Sequence, residues 1–321
     1  MELSIICVNW NSLDYLHECI RSIYVHTHGV SFEIIVVDNA STTGEVDSLQ
    51  GEFPAVKLIK SVANLGFGGA NNLGFQHSSG KYILFLNPDT KLLGPAINSL
   101  LERVKPLTNV GIVGCKLLNA DLSVQTSSIM KFPTISDVFL RAEYLRLRWP
   151  RLWGIGPLFS NDTQPATVQA ISGACMLVPR DEFAGVGMFS EDYFMYSEDL
   201  DLCYKAKVAG LENYYIGQAE IVHYAGTSSP SEWQTMMKQK AELRFCEKNY
   251  GYLYAWLFRM VSIVNASARI TILAVLSLTG KKKERETASL KWKRILRTLL
   301  TYSSTPSLGP NGIAVSRAQG G

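Results

Sequence analysis

The stretch Tyr82-Ile83-Leu84-Phe85-Leu86-Asn87-Pro88-Asp89 joins five apolar residues to a polar turn that carries a carboxylate. A short apolar run bounded by turn residues is typical of a buried strand. Similar runs lead into Val8-Asn9-Trp10-Asn11 and Val37-Asp38-Asn39-Ala40-Ser41. Polar groups at the carboxyl ends of several strands form a ligand crevice in an open α/β sheet. The pattern therefore predicts such a crevice.

Strand-like and helix-like periodicities alternate outward from this stretch. Strands are predicted at 3–9, 32–37, 56–59, 82–86, 110–113, 170–178 and 221–224. Helices are predicted at 13–26, 67–76, 95–104, 198–209 (with Ser197 as N-cap) and 231–249. The middle, roughly 119–165, has no regular period. The alternation predicts an α/β fold: a mostly parallel, Rossmann-like sheet with helices on both faces.

Composition and charge limit the class of protein. The chain has 321 residues, 47% of them hydrophobic and 18% charged, which suits one large α/β domain with a smaller appendage. The net charge is +3, but residues 281–300 hold eight Lys or Arg residues against two Glu. A near-neutral body with a basic tail excludes a uniformly basic nucleic-acid binder.

The cysteines and the first residues bear on the compartment. Six cysteines occur without a CxxC pair, mostly in apolar runs, which predicts buried free thiols in a reducing compartment. The first apolar run is short and lacks a preceding basic region, so it is interpreted as a strand and not as a signal peptide. The body is therefore expected in the cytoplasm.

The segment 252–279 is rich in apolar residues but is interrupted by Arg259 and Arg269. No uncharged stretch in it reaches the roughly 20 residues that a membrane-spanning helix needs. Together with Lys281-Lys282-Lys283, this pattern favours an amphipathic helix on a membrane surface. A tilted spanning segment and a soluble packing helix are the alternatives. Residues 301–321 are expected to be disordered.

Two motifs in the first half suit a nucleotide. The carboxylate and amide of Asp38 and Asn39 can hydrogen-bond a base or a ribose, although the same residues favour turns. The Gly-rich segment 64–74 can bring backbone amides to a diphosphate at a helix N-terminus, or it can serve helix packing and a tight turn. It is not the dinucleotide fingerprint, because Asn71 stands at the third Gly position.

Two further motifs suit metal binding and proton transfer. Asp89 can hold Mg²⁺ or Mn²⁺ against phosphates, with His223 as a candidate second ligand or as a structural histidine. Glu198, Asp199 and Asp201 lie in a predicted first helical turn, where acids complement the helix dipole. The preceding aromatic run Tyr193-Phe194-Met195-Tyr196 favours more, because it excludes water and raises a carboxylate pKa toward general-base function.

Taken together, six segments resemble glycosyltransferase family 2, in particular its rhamnosyltransferase-like branch. The segments are Val8-Asn9-Trp10-Asn11, Val37-Asp38-Asn39-Ala40-Ser41, Asn64-Leu65-Gly66-Phe67-Gly68-Gly69-Ala70-Asn71, Leu86-Asn87-Pro88-Asp89, Ser172-Gly173-Ala174 and Ser197-Glu198-Asp199-Leu200-Asp201-Leu202. The resemblance covers about residues 3–250. It implies a GT-A type nucleotide-binding domain over 1–250, with a nucleotide-sugar half (1–118) and an acceptor half (119–250). Residues 251–300 then form a helical, basic, membrane-associating tail.

The resemblance also implies roles for individual residues in inverting transfer from a nucleotide sugar. Donor contacts are expected from Asn9, Asp38, Asn39, Asn64, Gly68, Asn71 and Asn87. Asp89 takes the place of the last acid of the family's DxD metal motif, while Asn87 replaces the first acid. A divalent metal, Mn²⁺ or Mg²⁺, is expected on Asp89 and His223. Asp199 matches the catalytic base, and Glu198 and Asp201 are expected to orient the acceptor or to stabilise the helix.

The partners implied are a dTDP- or UDP-sugar, a lipid-linked saccharide and the cytoplasmic membrane surface, with no nucleic acid. Rhamnose from dTDP-rhamnose is the first choice of donor. The Arg- and Trp-rich segment 141–153 suits a lipid diphosphate or sugar stacking, or a solvated helix. A phosphotransferase is disfavoured because Lys57 and Lys60 precede the Gly-rich segment. A non-catalytic binding protein is disfavoured by Asp89 and Asp199 together. The oligomeric state is not determined by the sequence.

Overall fold

The computed structural model describes residues 1–140, 164–224, 231–277 and 282–303. The strands are β1 Leu3–Asn9, β2 Phe32–Asp38, β3 Lys57–Lys60, β4 Tyr82–Leu86, β5 Thr90–Leu92, β6 Val110–Leu118, β7 Ile129–Met130, β8 Ala166–Val168, β9 Ala170–Ile171, β10 Cys175–Pro179 and β11 Glu212–His223. The helices are α1 Leu13–His26, α2 Ser48–Glu52, α3 Gly66–Gln76, α4 Ala96–Val104, α5 Ile135–Leu140, α6 Arg180–Gly185, α7 Glu198–Val208, α8 Ser231–Tyr250, α9 Tyr252–Ser277 and α10 Lys282–Thr301. A 3₁₀ turn covers Thr126–Ser128.

The main sheet has the strand order β3-β2-β1-β4-β10-β6-β11-β5, with β8 alongside β11. Strands β1 to β4 pair in parallel, and so do β6 and β11. Strand β10 runs antiparallel to both of its neighbours, and β5 and β8 run antiparallel to β11. The predicted α/β fold with a GT-A-like sheet is confirmed, and the sheet is mixed.

Helices cover both faces of this sheet, and the side chains of β1 are therefore apolar on both sides. Ile5 and Cys7 lie in one core cluster with residues of α1. Ile6 points the other way, toward α3, where a Cβ added to Gly74 would lie 2.5 Å from its Cγ2. Successive side chains of a strand point to opposite faces, so a strand buried on both faces is apolar throughout. All six cysteines are free and buried, as predicted.

Four predicted elements differ from the structure. The predicted strand 110–113 is the beginning of the nine-residue strand β6. The predicted strand 170–178 is two strands, β9 and β10, because residues 172–174 form a turn. The predicted strand 221–224 is the end of the twelve-residue strand β11. Ser197 has φ +66°, so it does not take the extended backbone of an ordinary N-cap residue.

Some predictions lie outside the described residues. They are the Arg- and Trp-rich segment 141–153, the rest of the irregular middle up to residue 163, the surroundings of the lysines at 281–283, and residues 304–321 of the tail 301–321 that was expected to be disordered. The first residues of that tail are structured, since Thr301 ends α10 and the Tyr302 hydroxyl donates to Glu247 Oε2 at 3.0 Å. Within 119–140 the structure has a 3₁₀ turn, β7 and α5 rather than an irregular chain.

The described chain forms two units. The sheet unit comprises residues 1–132, 164–194 and 198–224. The helical unit comprises 133–140, 195–197, 231–277 and 282–303. Helix α8, predicted as the last element of the sheet domain, belongs to the helical unit; the functional division at residue 250 stays a prediction.

The helical unit has its own apolar core. The buried members of this core are Leu243, Cys246, Ala255, Phe258, Ala266, Ile295 and Leu299. They come from α8, α9 and α10. Helix α9 is long and apolar enough to cross a membrane by length and composition alone: its most apolar 18-residue window has a mean hydropathy of 1.7 and is 11% buried.

Candidate functional site

The carboxyl ends of β1, β2 and β4 lie side by side, since Asn9 is in register with Asp38 and Ile6 with Phe85. This places the predicted polar turns along one edge of the sheet unit. Asn87 follows β4 directly. The crevice predicted from the sequence is therefore an edge of the observed sheet.

Asn9 and Asp38 are joined by hydrogen bonds at this edge. Asn9 Nδ2 donates to Asp38 Oδ1 at 2.9 Å and to Ser41 Oγ at 3.1 Å. Ser41 Oγ donates to Asp38 Oδ1 at 2.6 Å. The Ser12 amide donates to Asn9 Oδ1 at 3.2 Å. These bonds match the turn interpretation of the motif, and donor contact by Asn9 and Asp38 stays a prediction.

Asn39 and Asn64 fasten the Gly-rich segment to the end of β2. Asn39 Nδ2 donates to Asn64 Oδ1 at 2.9 Å and to the Gly66 carbonyl at 3.2 Å. The amide of Leu65 donates to Asn39 Oδ1, and that of Gly66 to Asn64 Oδ1. Both asparagine side chains therefore hold the loop that precedes α3. Their contact with a nucleotide also stays a prediction.

The first turn of α3 is packed against the segment that precedes the acidic helix. The Phe67 amide donates to the Phe194 carbonyl at 3.0 Å. Gly66 has φ +74°, and a Cβ there would lie 2.3 Å from the same carbonyl oxygen. A Cβ on Gly68 would lie 3.1 Å from Phe189 Cβ. The amides of Gly66 and Phe67 therefore bind protein acceptors, which matches the packing interpretation of the segment, and contact of the segment with a diphosphate stays a prediction.

Asn71 was expected to line the donor, but it is 1% exposed. Its Nδ2 donates to the Phe67 carbonyl one turn earlier in α3. Gly68 is likewise buried, against Phe189. The structure thus places both residues inside the sheet unit.

Asp89 and His223 are brought together by the pairing of β5 with β11, in which Thr90 is in register with His223. The Tyr224 amide donates to the Asp89 carbonyl at 2.9 Å. His223 Nε2 lies 3.4 Å from Asp89 Oδ1 and 3.4 Å from Asn87 Nδ2. The three side chains predicted for the metal and diphosphate therefore form one cluster.

Gln125 sets the orientation of the His223 ring. Its Nε2 donates to the His223 carbonyl at 2.5 Å, which leaves its Oε1 to face His223 Nδ1 at 3.0 Å. Because Oε1 only accepts, Nδ1 carries the proton. In the neutral ring, Nε2 then presents a lone pair toward Asp89 and Asn87. Metal-binding histidines are commonly oriented by a partner of this kind.

The cluster fits a divalent cation. Asn87 Oδ1 is buried and has no hydrogen-bond partner among the described residues. Asp89 Oδ1 and His223 Nε2 lie 3.4 Å apart and form a pair of electron-pair donors. Asn87 faces the ring through its Nδ2, so its Oδ1 would join this pair after rotation of the amide group. Within the ranges described, no group of three His, Cys, Asp or Glu side chains forms a metal site alone. Further ligands would have to be water or phosphate oxygens, as Mg²⁺ commonly uses.

The turn of Ser172, Gly173 and Ala174 connects this cluster to Asp199. The Asn87 amide donates to the Ala174 carbonyl at 3.0 Å. The Gly173 amide donates to Asp199 Oδ2 at 2.9 Å. A Cβ on Gly173 would lie 3.3 Å from that oxygen and 3.5 Å from the Phe67 ring. Glycine therefore allows the close approach of the turn to the carboxylate.

Glu198 and Asp199 have different surroundings. Glu198 is 5% exposed, and its Oε2 finds no hydrogen-bond partner in the described part of the chain. Burial, followed by the negative charges of Asp199 and Asp201, raises the pKa of Glu198 well above its ordinary value. Asp199 is partly exposed. The raised carboxylate pKa expected beside the aromatic run thus occurs on Glu198.

The acidic helix is preceded by unusual backbone. Tyr196 has φ +71° and Ser197 has φ +66°. Consecutive non-glycine residues in the left-handed region are costly and persist where the surroundings impose them, often at functional sites. Asp201 is fully buried and accepts hydrogen bonds from Ser190 and Tyr193, so it holds the chain just before these two residues to α7.

Sequence reasoning missed two contributors to the site. Gln125 lay in a segment without regular period, and nothing in the sequence linked it to His223 98 residues later. The carbonyl of Phe194 was also missed, because a backbone acceptor leaves no mark on residue identity. The sequence signal for this contact was the glycine at position 66, where the backbone has a positive φ.

The chain is similar in sequence to known glycosyl transferases. Residues 4–157 match the family model described as glycosyl transferase family 2. An N-acetylglucosaminyl-diphospho-decaprenol L-rhamnosyltransferase of Mycobacterium tuberculosis is 29% identical over 240 residues, which cover 71% of this chain and 77% of that protein. The rhamnosyltransferase WbbL of Escherichia coli is 28% identical over 230 residues, which cover 69% and 83%.

Solved structures share the fold at low identity. The mannosyltransferase PcManGT of Pyrobaculum calidifontis, solved with GDP-Man and Mn²⁺, aligns with a TM-score of 0.64 at 15% identity over 93% of this chain and 86% of its own. GalNAc-T7, solved with UDP, GalNAc and Mn²⁺, aligns with a TM-score of 0.57 at 16% identity over 78% of this chain. The aligned part is half the length of the GalNAc-T7 chain.

Proposed function

Because the chain belongs to glycosyl transferase family 2, we propose that it is an inverting transferase that moves a sugar from a nucleotide-sugar donor to a hydroxyl group of a lipid-linked saccharide. The proposed donor is dTDP-rhamnose, which two relatives named rhamnosyltransferases support. One of them is named for a polyprenyl-diphosphate acceptor, which supports a lipid-linked acceptor and a place at the cytoplasmic membrane surface.

The observation that carries the proposal is the turn at 172–174. It contacts Asn87, beside the predicted metal residues, and it also donates to the Asp199 carboxylate. A displacement at an anomeric carbon needs a base on one side and charge stabilisation of the leaving group on the other. One short turn holds both groups in fixed relation.

Asp199 is the proposed general base. Its two oxygens accept from the Gly173 and Leu200 amides, at 2.9 Å and 2.8 Å, and these bonds fix the plane of the carboxylate. Asp199 takes the proton of the acceptor hydroxyl as that oxygen attacks the anomeric carbon. The bond to the nucleoside diphosphate breaks in the same displacement, so the anomeric configuration inverts. The chain needs no covalent nucleophile for this reaction.

Asp89, His223 and Asn87 would hold a divalent cation. When bound, Mn²⁺ or Mg²⁺ offsets the charge of the departing diphosphate. Gln125 keeps His223 Nε2 directed at Asp89. Both solved structures named above contain Mn²⁺, which supports this ligand type. Asn9, Asp38, Asn39 and Asn64 would shape the nucleotide side of the crevice.

Glu198 has a different role from its neighbour in this proposal. Burial and the adjacent charges raise its pKa, which favours the neutral acid over the carboxylate. A neutral Glu198 avoids a second negative charge beside Asp199. It therefore orients and supports the base and is not itself the base.

The test is release of nucleoside diphosphate from dTDP-rhamnose, UDP-glucose, UDP-galactose and UDP-N-acetylglucosamine, with lipid extract and Mn²⁺, Mg²⁺ or EDTA. We expect metal-dependent release from dTDP-rhamnose. Asp199→Asn should lower turnover by about 10²- to 10⁴-fold with donor binding intact. Asp181→Asn, an exposed acid in the first turn of α6, is the matched control. Release from a UDP-sugar alone would replace the proposed donor.

Donor binding without release from any sugar nucleotide would favour a binding protein over an enzyme. Unchanged turnover of Asp199→Asn would remove the base assignment.

A further inference from the structure

Helix α9 presents an apolar surface that the helical unit does not cover. Its exposed large side chains are Tyr252, Leu253, Trp256, Leu257, Val264, Ile272, Val275 and Leu276, each between 41% and 74% exposed. No charged residue lies among them. The helix has 26 residues, a length of about 39 Å at 1.5 Å per residue. Contiguous exposed apolar surface of this extent marks a binding surface.

The two arginines that interrupt this helix in sequence are not on the exposed face. Arg259 is four residues after buried Ala255, and Arg269 is three residues after buried Ala266, so both lie on the buried side. The Arg259 guanidinium donates to the carbonyls of Leu299 and Leu300, at the end of α10. The Arg269 guanidinium lies 4.6 Å from the centre of the Trp292 ring.

These contacts tie α10 along α9 as an antiparallel hairpin. The early residue of α9 meets the end of α10, and the late residue of α9 meets the middle of α10. Phe258 and Leu299 are buried in the same core. The charges that disfavour α9 as a membrane segment are therefore used inside the hairpin.

Helix α10 brings the opposite kind of surface. It contains seven Lys or Arg residues against two Glu. Lys291, Lys293 and Arg297 are exposed. An apolar face on one helix of the hairpin and exposed cations on the other are complementary to an anionic lipid surface, where acyl chains accept the apolar side chains and headgroups accept the cations.

The same hairpin argues against a membrane crossing by α9. If α9 crossed a bilayer with its contacts intact, α10 would enter the hydrocarbon with it. Each Lys or Arg of α10 is strongly disfavoured there. An orientation parallel to the membrane buries the exposed face of α9 and leaves α10 at the headgroups.

We propose that the α9–α10 hairpin binds in the plane of an anionic leaflet, with Leu253, Leu257 and Val264 in the acyl region and Lys291, Lys293 and Arg297 among the headgroups. This proposal rests on the proposed function in one respect: the proposed lipid-linked acceptor lies at the same membrane. The proposed membrane binding is charge-dependent, shallow and reversible.

The experiment is flotation of the full chain with phosphatidylcholine vesicles, with and without phosphatidylglycerol, in the absence of any sugar nucleotide. We expect binding that needs phosphatidylglycerol and weakens with salt. The triple variant Lys291→Gln, Lys293→Gln, Arg297→Gln should bind roughly a hundredfold more weakly, at about fivefold per cation. Leu257→Ser with Val264→Ser should also lose binding, whereas Val62→Ser, an exposed apolar site of the sheet unit, should not.

Depth is measured with a polarity-sensitive dye on Leu253→Cys or Leu276→Cys, since the six native cysteines are buried. An in-plane hairpin gives a similar, shallow depth at both ends and release by carbonate. Opposite sides for the two ends, or resistance to carbonate, would overturn the proposal in favour of a spanning helix. Binding to neither vesicle, or concentration-dependent dimers that the serine variants abolish, would also overturn it.

Because no donor is present, the outcome is independent of transferase activity. Vesicle binding without turnover leaves this surface in place and counts against the proposed function. Turnover without vesicle binding supports the proposed function and overturns the proposed membrane surface.

Discussion

Glu198 and Asp199 are joined by one peptide bond, yet their carboxylates differ in access to solvent and in hydrogen bonding. Glu198 is buried, and burial is the main cause of its raised pKa. Asp199 is partly exposed and is held by two backbone amides. A base must reach its substrate and be ionised when it does so. At the residue scale, Asp199 meets the first requirement and buried Glu198 does not.

Glu198→Gln therefore has a different expected effect from Asp199→Asn. Glutamine has the shape of a neutral glutamic acid, so turnover should stay within about tenfold of the unmodified protein, against a loss of about 10²- to 10⁴-fold for Asp199→Asn. Steady-state nucleoside diphosphate release measures both. Equal losses in the two variants would mean that an ionised Glu198 takes part in the reaction.

The same substitution tests the raised pKa through stability. Between the ordinary pKa of a glutamate and the higher pKa of Glu198 in the folded protein, the folded state holds the extra proton. Stability conferred by that proton falls as the pH rises through this window. Glu198→Gln does not titrate, so its stability relative to the unmodified protein should increase from pH 4 to pH 8. Urea unfolding at several pH values measures the difference, and a difference independent of pH would contradict the shift.

Gln125 gives a further prediction at this scale. In Gln125→Leu the His223 ring loses the acceptor that fixes its Nδ1 proton. We expect Mn²⁺ affinity, measured by the resonance signal of free Mn²⁺ in the presence of dTDP, to fall by about 10- to 100-fold. Gln50→Leu, at an exposed position of α2, is the control. Unchanged affinity would show that His223 does not depend on Gln125 or does not bind the metal.

At the scale of elements, the sequence predicted what local pattern determines. Buried strands β1, β2 and β4 are continuous apolar runs, so their ends, and hence Asn9, Asp38 and Asn87, were placed correctly. Strand β5 has three residues and no alternation to detect. It nevertheless brings Asp89 to His223, because it pairs with the end of β11. Long-range pairing of this kind leaves no local signal.

The Gly-rich segment shows the same limit. Glycines before a helix suit both a diphosphate and close packing, and sequence alone left the two open. The structure provides the neighbour: the carbonyl of Phe194, which accepts from Phe67 and occupies the place of a Cβ on Gly66. This contact joins α3 to the segment that leads into α7.

Gly66→Ala tests that contact. Alanine must adopt a left-handed backbone and would meet the Phe194 oxygen at 2.3 Å. We expect a loss of about 1 to 3 kcal/mol in unfolding free energy from the backbone alone, and a drop in turnover as the segment before Asp199 moves. Gly51→Ala, in α2, meets no atom within 4 Å and should be neutral or slightly stabilising. Equal effects in both variants would show that the contact is unimportant.

At the scale of the whole molecule, each of the two units in the described part of the chain has an apolar core of its own. The sheet unit is built on residues such as Phe85, which packs against Phe183 and Phe189. The helical unit is built on residues such as Phe258, which lies in the core of α8, α9 and α10. Proteins with more than one core need not unfold in a single transition.

Phe258→Ala should therefore weaken the helical unit selectively. Truncation of a buried phenylalanine costs about 3 to 5 kcal/mol. We expect calorimetry to show one transition moved to lower temperature, while dTDP affinity, which depends on the sheet unit, stays within about twofold. Phe85→Ala should give the reverse pattern, with the other transition lowered and nucleotide binding impaired. A single transition that moves equally in both variants would mean that the two cores fold as one cooperative body, and vesicle binding and nucleotide binding would then be lost together.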